Sequence, residues 1–364
     1  MARKPNLAEV LEKHRGERHL VVLHDFPDPD AISSAFAHRL ISAAYNIEVD
    51  ILYTGKISHG QNVALVKLLD IELIPYRNDM NLEKYQGAVF LDHQGATTNG
   101  VYQALQAAGV PLLIVVDHHE PQDIVKPVFS DIQKTGSTAT IYAHYLRQGL
   151  LEVQKGQKEH VAMATALMHG ILTDTGGFIR ADQEDFHSAA FLSQYSDSNL
   201  LEQIMNQARS KQVMDVIRRA LENRTVVENH SIAGIGYLRA EDRDAIPQAA
   251  DFLVNEENVH TAIVYGILKD DNQTETLTGS LRTSKLIFDA DEFIKEVFGI
   301  NSDGHYYGGG KHLAGAFHIP IEFLSGEPSE DFMDLKWQVF DTQVKAKIFN
   351  RIGVKHNLLR EQQK

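Results

Sequence analysis

The chain has no cysteine in 364 residues. That excludes disulfides, thiolate metal sites and a cysteine nucleophile, and it fits a reducing compartment. No apolar run reaches the roughly 18 residues that a membrane-spanning helix needs. Basic residues are few beside acidic ones, 35 Lys and Arg against 49 Asp and Glu, for a net charge of −14. A surface of that sign argues against tight, sequence-independent binding of long duplex nucleic acid, which is held through a basic face. It leaves room for a small phosphate ester, because bound divalent cations supply positive charge where it counts. The start, Met-Ala-Arg-Lys-Pro-Asn, leads toward a charged helix and not the apolar centre of a signal peptide. A cytoplasmic protein with no membrane contact is expected.

What is present is ordinary for a globular protein, 43% apolar and 23% charged. The length predicts two domains, at about 100–200 residues each. Residues 7–15 read as a short helix. Then apolar runs at 19–24, 47–53, 71–76, 87–91 and 111–116 alternate with helical patterns at 31–44, 61–69 and 101–108. That alternation predicts an α/β domain with a parallel sheet covered on both faces. From Ser137 the pattern is helical, over 138–146, 160–172, 181–195 and 199–205. The amphipathic stretch 210–222 reads as a linker helix at the junction. Strands at 225–238, 261–268 and 274–282 and helices at 246–253 and 291–298 predict a smaller α/β domain. A long mixed-charge helix fills the tail, 328–364, and offers a surface for a homodimer contact. The expected division is therefore 1–205, a linker over 206–224, 225–325, and a helical extension over 326–364.

The chemistry gathers in four stretches of the first domain. His24, Asp28 and Asp30 share one loop, stiffened by Pro27 and Pro29, where a strand gives way to a helix. Asp92 ends the apolar run 87–91 and Asp117-His118-His119 the run 111–116. Asp174 ends an apolar helix. Open α/β sheets bind ligands at the carboxyl ends of their strands. Imidazole and carboxylate without thiolate suit Mn²⁺, with Mg²⁺ or Co²⁺ as alternatives. His24, Asp28, Asp30, Asp92, His118 and Asp174 make six candidate ligands for two metals. Paired metals about 3.5–4 Å apart activate a water and neutralise an in-line phosphoryl transition state. His119 is a candidate to touch a phosphate oxygen or assist proton transfer. Taken singly, Asp28-Pro29-Asp30 reads as a turn and cap, with Asp30 capping the helix. His93 is a candidate at the rim of the site. His169 and the run Thr135 to Thr138 read as structural.

Taken together, His24-x-x-x-Asp28-x-Asp30, Asp92, Asp117-His118-His119 and Asp174 resemble the four motifs of the DHH phosphoesterase superfamily. The resemblance covers the whole first domain. It implies that the positions of His24, Asp28 and Asp92 hold one manganese, and those of Asp30, Asp92, His118 and Asp174 the other, with Asp92 bridging. It further implies that His119 meets substrate and that Asp117 orients a ligand or the loop. Asp92, His118 and His119 are thus the expected catalytic group.

In the second domain, Gly308-Gly309-Gly310 allows close backbone approach to a ligand. The run is similar to the glycine-rich signature of DHHA1 domains, found in the exonuclease and nano-RNase branches. Lys311 stands where that signature has histidine, and His312 follows it. Arg282 resembles the arginine upstream of the signature, which would grip a terminal phosphate in bidentate fashion. The expected substrate-binding residues are His119, Arg282, Gly308, Gly309, Gly310, Lys311 and His312. The expected activity is hydrolysis of short oligonucleotides, linear dinucleotides or phosphoadenosine phosphate. The alternatives are a cyclic-dinucleotide phosphodiesterase, a polyphosphatase or pyrophosphatase, and a nucleotide-binding regulator with little turnover.

Overall fold

A computed structural model describes residues 6–354 except 58, 97, 99, 271, 327 and 328. Contacts within the chain divide it into two compact units, Met1–Ala208 and Arg209–Lys364.

The first unit runs α1 (Leu7–Lys13), β1 (Arg18–Val22), α2 (Pro29–Ala44), β2 (Glu48–Tyr53), α3 (Gly60–Leu68), β3 (Ile74–Pro75), β4 (Gly87–Leu91), α4 (Val101–Ala107), β5 (Leu112–Asp117) and β6 (Phe129–Ile132). Four helices follow: α5 (Thr138–Arg147), α6 (Lys158–Asp174), α7 (Gln183–Leu192) and α8 (Ser198–Met205). The strands form one parallel sheet in the order β3-β2-β1-β4-β5-β6. Leu20, Val21, Val22 and Leu23 are fully buried, as a strand covered on both faces requires. Each such side chain contributes about 1.5–3 kcal/mol by leaving water. The winding reverses between β1 and β4. That switch point is where an open sheet leaves a crevice at its carboxyl edge. The loops carrying His24 to Asp30 and Asp92 leave the sheet there. β6 is absent from the sequence reading, because Phe129-Ser130-Asp131-Ile132 has too few apolar residues to stand out. Its pairing with β5 is what makes it a strand.

The second unit runs α9 (Lys211–Asn223), β7 (Arg224–Val227), β8 (His230–Arg239), α10 (Ala245–Leu253), β9 (Thr261–Lys269), β10 (Glu275–Thr283), α11 (Ala290–Phe298), β11 (Gly308–Lys311), β12 (Ala314–Pro320) and α12 (Glu330–Ile352). Its sheet has the order β11-β12-β10-β9-β8-β7, antiparallel except for β8 beside β9.

Three expectations change. The single strand over 225–238 is a hairpin. Glu228 and Asn229 turn it with φ of 47° and 60°, the left-handed pair that two-residue hairpins need. The helix read as a linker packs as core. Val213, Val216, Ile217 and Ala220 are buried with Ala245, Ile246 and Ala249, at the i, i+3, i+4, i+7 spacing of one apolar face. The tail helix is likewise no mere extension. Val344, Ile348 and Phe349 join the core of the second sheet, and the buried Lys336 Nζ reaches Glu275 Oε2 at 2.5 Å. Residues 355–364 of that expected helix lie outside the described residues. No helix among the described residues is long and apolar enough to cross a membrane.

Candidate metal centre

The first loop is shaped by its own carboxylates. Asp28 is the N-cap of α2, its Oδ1 accepting from the Ala31 amide at 3.0 Å, with Pro29 at the first helical position. The cap is therefore Asp28 and not Asp30 as expected. Asp30 lies one step inside the helix and is fully buried. Its two oxygens accept from the Thr138 and Ala139 amides at 2.7 Å each. These amides open α5, where unpaired N–H groups and the helix dipole favour an anion. His24 is oriented from behind, with Nδ1 at 2.9 Å from the Asp25 carbonyl. Its Nε2 then faces Asp28 Oδ1 at 3.9 Å and Asp92 Oδ2 at 3.6 Å.

Asp92 follows β4 directly and has φ of 63°. Left-handed backbone is tolerated best by Asp and Asn among residues with a Cβ, and here it turns the chain as the strand ends. The Asp92 amide stays paired to the Val116 carbonyl at 3.0 Å. The Thr138 hydroxyl donates to Oδ1 at 3.0 Å. That same Oδ1 lies 3.5 Å from His118 Nε2. His118 is held by Nδ1, 3.1 Å from the Thr135 carbonyl. Its Nε2 also lies 3.4 Å from Asp174 Oδ2 and 3.9 Å from Asp30 Oδ2. Two triads thus converge, His24 with Asp28 and Asp92, and Asp30 with His118 and Asp174. Asp92 faces both.

The charges are out of balance. Burial raises the Asp30 carboxyl well above its usual range, and the Asp92, Asp174 and Asp28 carboxylates push it further. Asp92 is raised too, first by burial. Burial opposes charge on both imidazoles, yet the carboxylates outweigh it. Hydrogen bonding to Asp28 and Asp92 pushes His24 up to about 11, and the facing Asp174 carboxylate, with the Asp92 charge, pushes His118 up to about 9. Such a cluster draws positive charge, as protons or as cations.

Asp117 is fully buried and serves the loop. Its Oδ1 accepts from the His118 amide at 2.9 Å and lies 2.8 Å from His119 Nδ1. Its Oδ2 accepts from Gln94 Nε2 at 2.7 Å. It orients His119 and not His118. Gln94 escaped the sequence reading, although its place two residues after Asp92 put it in the same turn. His93 is not at the rim. It is buried with Nε2 on the Val22 carbonyl at 2.8 Å and Nδ1 accepting from the Gly95 amide at 3.0 Å. Burial holds it neutral, down to about 4. His169 is also buried and held down to about 4 by burial.

In the second unit Arg282, Gly309, Gly310 and Lys311 line one cavity of about 360 Å³, together with Arg243 and His318. Nothing in the sequence pointed to the last two, which come from a loop before α10 and from β12. Three expectations change here. The glycines, expected to let a ligand approach the backbone, form an edge strand. A Cβ on Gly310 would come within 2.1 Å of the Ala314 carbonyl, and one on Gly308 within 2.2 Å of that of Ala316. Gly308 and Gly310 are thus demanded by the pairing with β12. Arg282 lines the cavity with its fork largely committed. Nε donates to Asp251 at 2.7 Å, and Nη1 to Ser280 Oγ and the Leu281 carbonyl. His312 does not line the cavity. Its ring nitrogens face the Leu286 carbonyl and the Asp289 carboxylate.

The model of the DHH family, N-terminal domain, matches residues 18–171. An uncharacterized protein of Methanocaldococcus jannaschii is 31% identical over 349 residues, which cover 95% of this chain and 66% of that protein. The chain thus spans just under two thirds of the length of that relative. Among solved structures, an exopolyphosphatase-related protein from Bacteroides fragilis superimposes with a TM-score of 0.64 at 17% identity, over 92% of this chain and 95% of that one. RecJ in complex with Mn²⁺ from Thermus thermophilus gives 0.50 at 12% identity, over 94% of this chain and 54% of that one.

Proposed function

We propose that the chain, whose residues 18–171 match the DHH family, N-terminal domain, is a divalent-metal-dependent phosphoesterase of short nucleotide substrates. The observation that carries this reading is Asp92, with Oδ2 toward His24 and Oδ1 toward His118. One carboxylate spans two donor sets. His24, Asp28 and Asp92 would hold one ion; Asp30, Asp92, His118 and Asp174 would hold the other. The fit rests on His118 Nε2. It is buried and without a hydrogen-bond partner among the described residues, while Nδ1 is occupied by a carbonyl. A lone pair aimed among three carboxylates is a metal ligand in chemical terms. Nitrogen and oxygen donors without sulfur suit Mn²⁺ and admit Mg²⁺ or Co²⁺. Two such ions, when bound, polarise a phosphoryl oxygen and lower the pKa of a water.

The protein's own groups do the rest. Thr138 and the Val116 carbonyl fix Asp92 in place. Asp117 Oδ1 accepts from His119 Nδ1–H, so Nε2 is the nitrogen left to face substrate and, when the ring is doubly protonated, to meet a phosphoryl oxygen or pass a proton to the leaving oxygen. In the second unit, Arg243, Lys311 and Nη2 of Arg282 bring positive charge to a small cavity, a role like that of a DHHA1 domain. The cavity has the size of a nucleotide site, and the acidic chain offers little for a long strand. Short oligonucleotides, linear dinucleotides and phosphoadenosine phosphate therefore fit best, in the cytoplasm. The test is release of phosphate and mononucleotides, with Mn²⁺, from a panel of phosphoadenosine phosphate, linear and cyclic dinucleotides, a five-residue RNA and pyrophosphate. Turnover of the linear dinucleotide and short RNA is expected. Turnover of pyrophosphate alone would replace the substrate assignment. Silence with metal bound would make the protein a nucleotide-binding regulator.

A further inference from the structure

Among the described residues of the first unit, Arg15, Arg18, Arg39, Arg77 and Arg147 each meet a carboxylate. Arg180 does not. In a chain with 49 acidic residues and a net charge of −14, an exposed arginine beside a carboxylate cluster would be expected to pair. Arg180 is instead held by backbone. Its amide donates to the Thr175 carbonyl at 2.8 Å, and Nη2 donates to the Asp174 carbonyl at 3.0 Å. Its Nε and Nη1 have no partner among the described residues. Gly176 has φ of 61°, and a Cβ there would come within 2.9 Å of Nη1. The guanidinium is thus anchored by one bond next to the residue whose carboxylate faces His118 at 3.4 Å.

We propose that Arg180 is a substrate-binding residue of this site, holding a phosphate that neighbours the scissile one. The proposal rests on the hydrolase reading above. It narrows the substrate to molecules with at least two phosphates in a row along the chain. A fixed, unpaired guanidinium fork is the group that matches two phosphate oxygens at once. Its cost of ordering is already met by the backbone contacts, so affinity gained there is not spent on freezing the side chain. Arg180 sits where positive charge would otherwise be cancelled by the nearest acid, and its one anchoring bond takes a carbonyl, leaving the net charge free for an anion.

The experiment compares wild type, Arg180→Ala and Arg180→Lys on three substrates: ApA, with one phosphate, and pApA and ApAp, with a second on either side. Metal content of each protein is measured alongside. In wild type, kcat/KM is expected to be higher for one two-phosphate substrate than for ApA. Arg180→Ala should cut that preference about tenfold, mainly through KM, with metal content retained. Arg180→Lys should restore part of it. An equal loss on all three substrates, or no loss, overturns the proposal. If wild type hydrolyses none of them with metal bound, the hydrolase reading has failed. Calorimetric titration of pApA and ApAp then decides, and equal affinity of wild type and Arg180→Ala overturns the role of Arg180.

Discussion

In the first unit the chemistry-bearing side chains sit just past the ends of β1, β4 and β5, at the start of α2 or at the last residue of α6. Their partners are backbone groups: the Thr138 and Ala139 amides for Asp30, the Thr135 carbonyl for His118, the neighbouring Asp25 carbonyl for His24. In the second unit the cavity is lined by residues from the middles of strands β10, β11 and β12 and from the start of α10. There the side chains are tied to one another, Arg282 to Asp251 and Ser280. Residues at strand ends have nothing to do for the sheet itself, so their identity reports chemistry. Residues within strands serve packing first, and their identity reports chemistry only after packing is subtracted. Gly310 is the clear instance. It looks like a ligand-facing glycine and is required by the Ala314 carbonyl.

The largest test of this contrast is Asp92→Ala. If one carboxylate serves both donor sets, its loss should lower turnover by 10³-fold or more, roughly 4 kcal/mol of transition-state stabilisation. Metal per chain should fall as well. Steady-state rates on the linear dinucleotide and elemental analysis check both, and normal activity at normal occupancy would sink the bridging role. His119→Ala separates binding from chemistry within the same site. Its Nδ1 is held by Asp117 Oδ1 at 2.8 Å, nearer than Asp92 Oδ1 at 3.8 Å. Turnover should fall by about 10²-fold, in the range of a lost acid–base group, while metal stays bound. Loss of metal would move His119 among the ligands.

Removing metal should also invert the pH dependence of stability in the first unit. His118 is raised to about 9 from a usual 6.5, and His24 to about 11. The folded state therefore holds protons that the unfolded chain releases. That stabilisation is fully present below pH 6.5 and is lost as pH rises through about 9 for His118 and higher for His24. Asp30 and Asp92, also raised, act in the same direction above the ordinary carboxylate range. The metal-free Tm should fall between pH 6.5 and 9. Over the same interval the gain in Tm on adding Mn²⁺ should grow, because binding requires the ligands deprotonated. A metal-free Tm that rises with pH would show that the cluster is not proton-loaded.

How much was legible in the sequence follows the same line. The parallel sheet, the six clustered side chains and the helices around them could be read because apolar runs ended in residues that runs do not need. The identity of the cap was not, since Asp28 and Asp30 look alike until the amides of α5, more than a hundred residues away, claim Asp30. Nor were β6, Arg243 and His318, whose roles come from pairing and from neighbours distant in sequence. The helix 211–223 reads as a linker because an amphipathic helix has the same pattern whether its apolar face meets its own unit or a junction.

The smallest expected effect bears on the residue whose sequence is most misleading. Gly309 and Gly310 are adjacent on β11, yet what a methyl group would meet differs. On Gly310 it strikes the Ala314 carbonyl at 2.1 Å and Gly315 Cα at 2.6 Å, both backbone. On Gly309 it meets Asp291 Oδ1 at 2.7 Å, the end of a side chain that can move. Overpacking against immovable atoms costs about 1–3 kcal/mol. Gly310→Ala should therefore lower the Tm of the second unit by several degrees and Gly309→Ala by less, measured by calorimetry without substrate. Were the glycines there for a ligand, the two variants would instead have equal Tm and would raise KM together. The comparison between the two units would then fail at its sharpest point, because a strand-centre residue would be reporting chemistry after all.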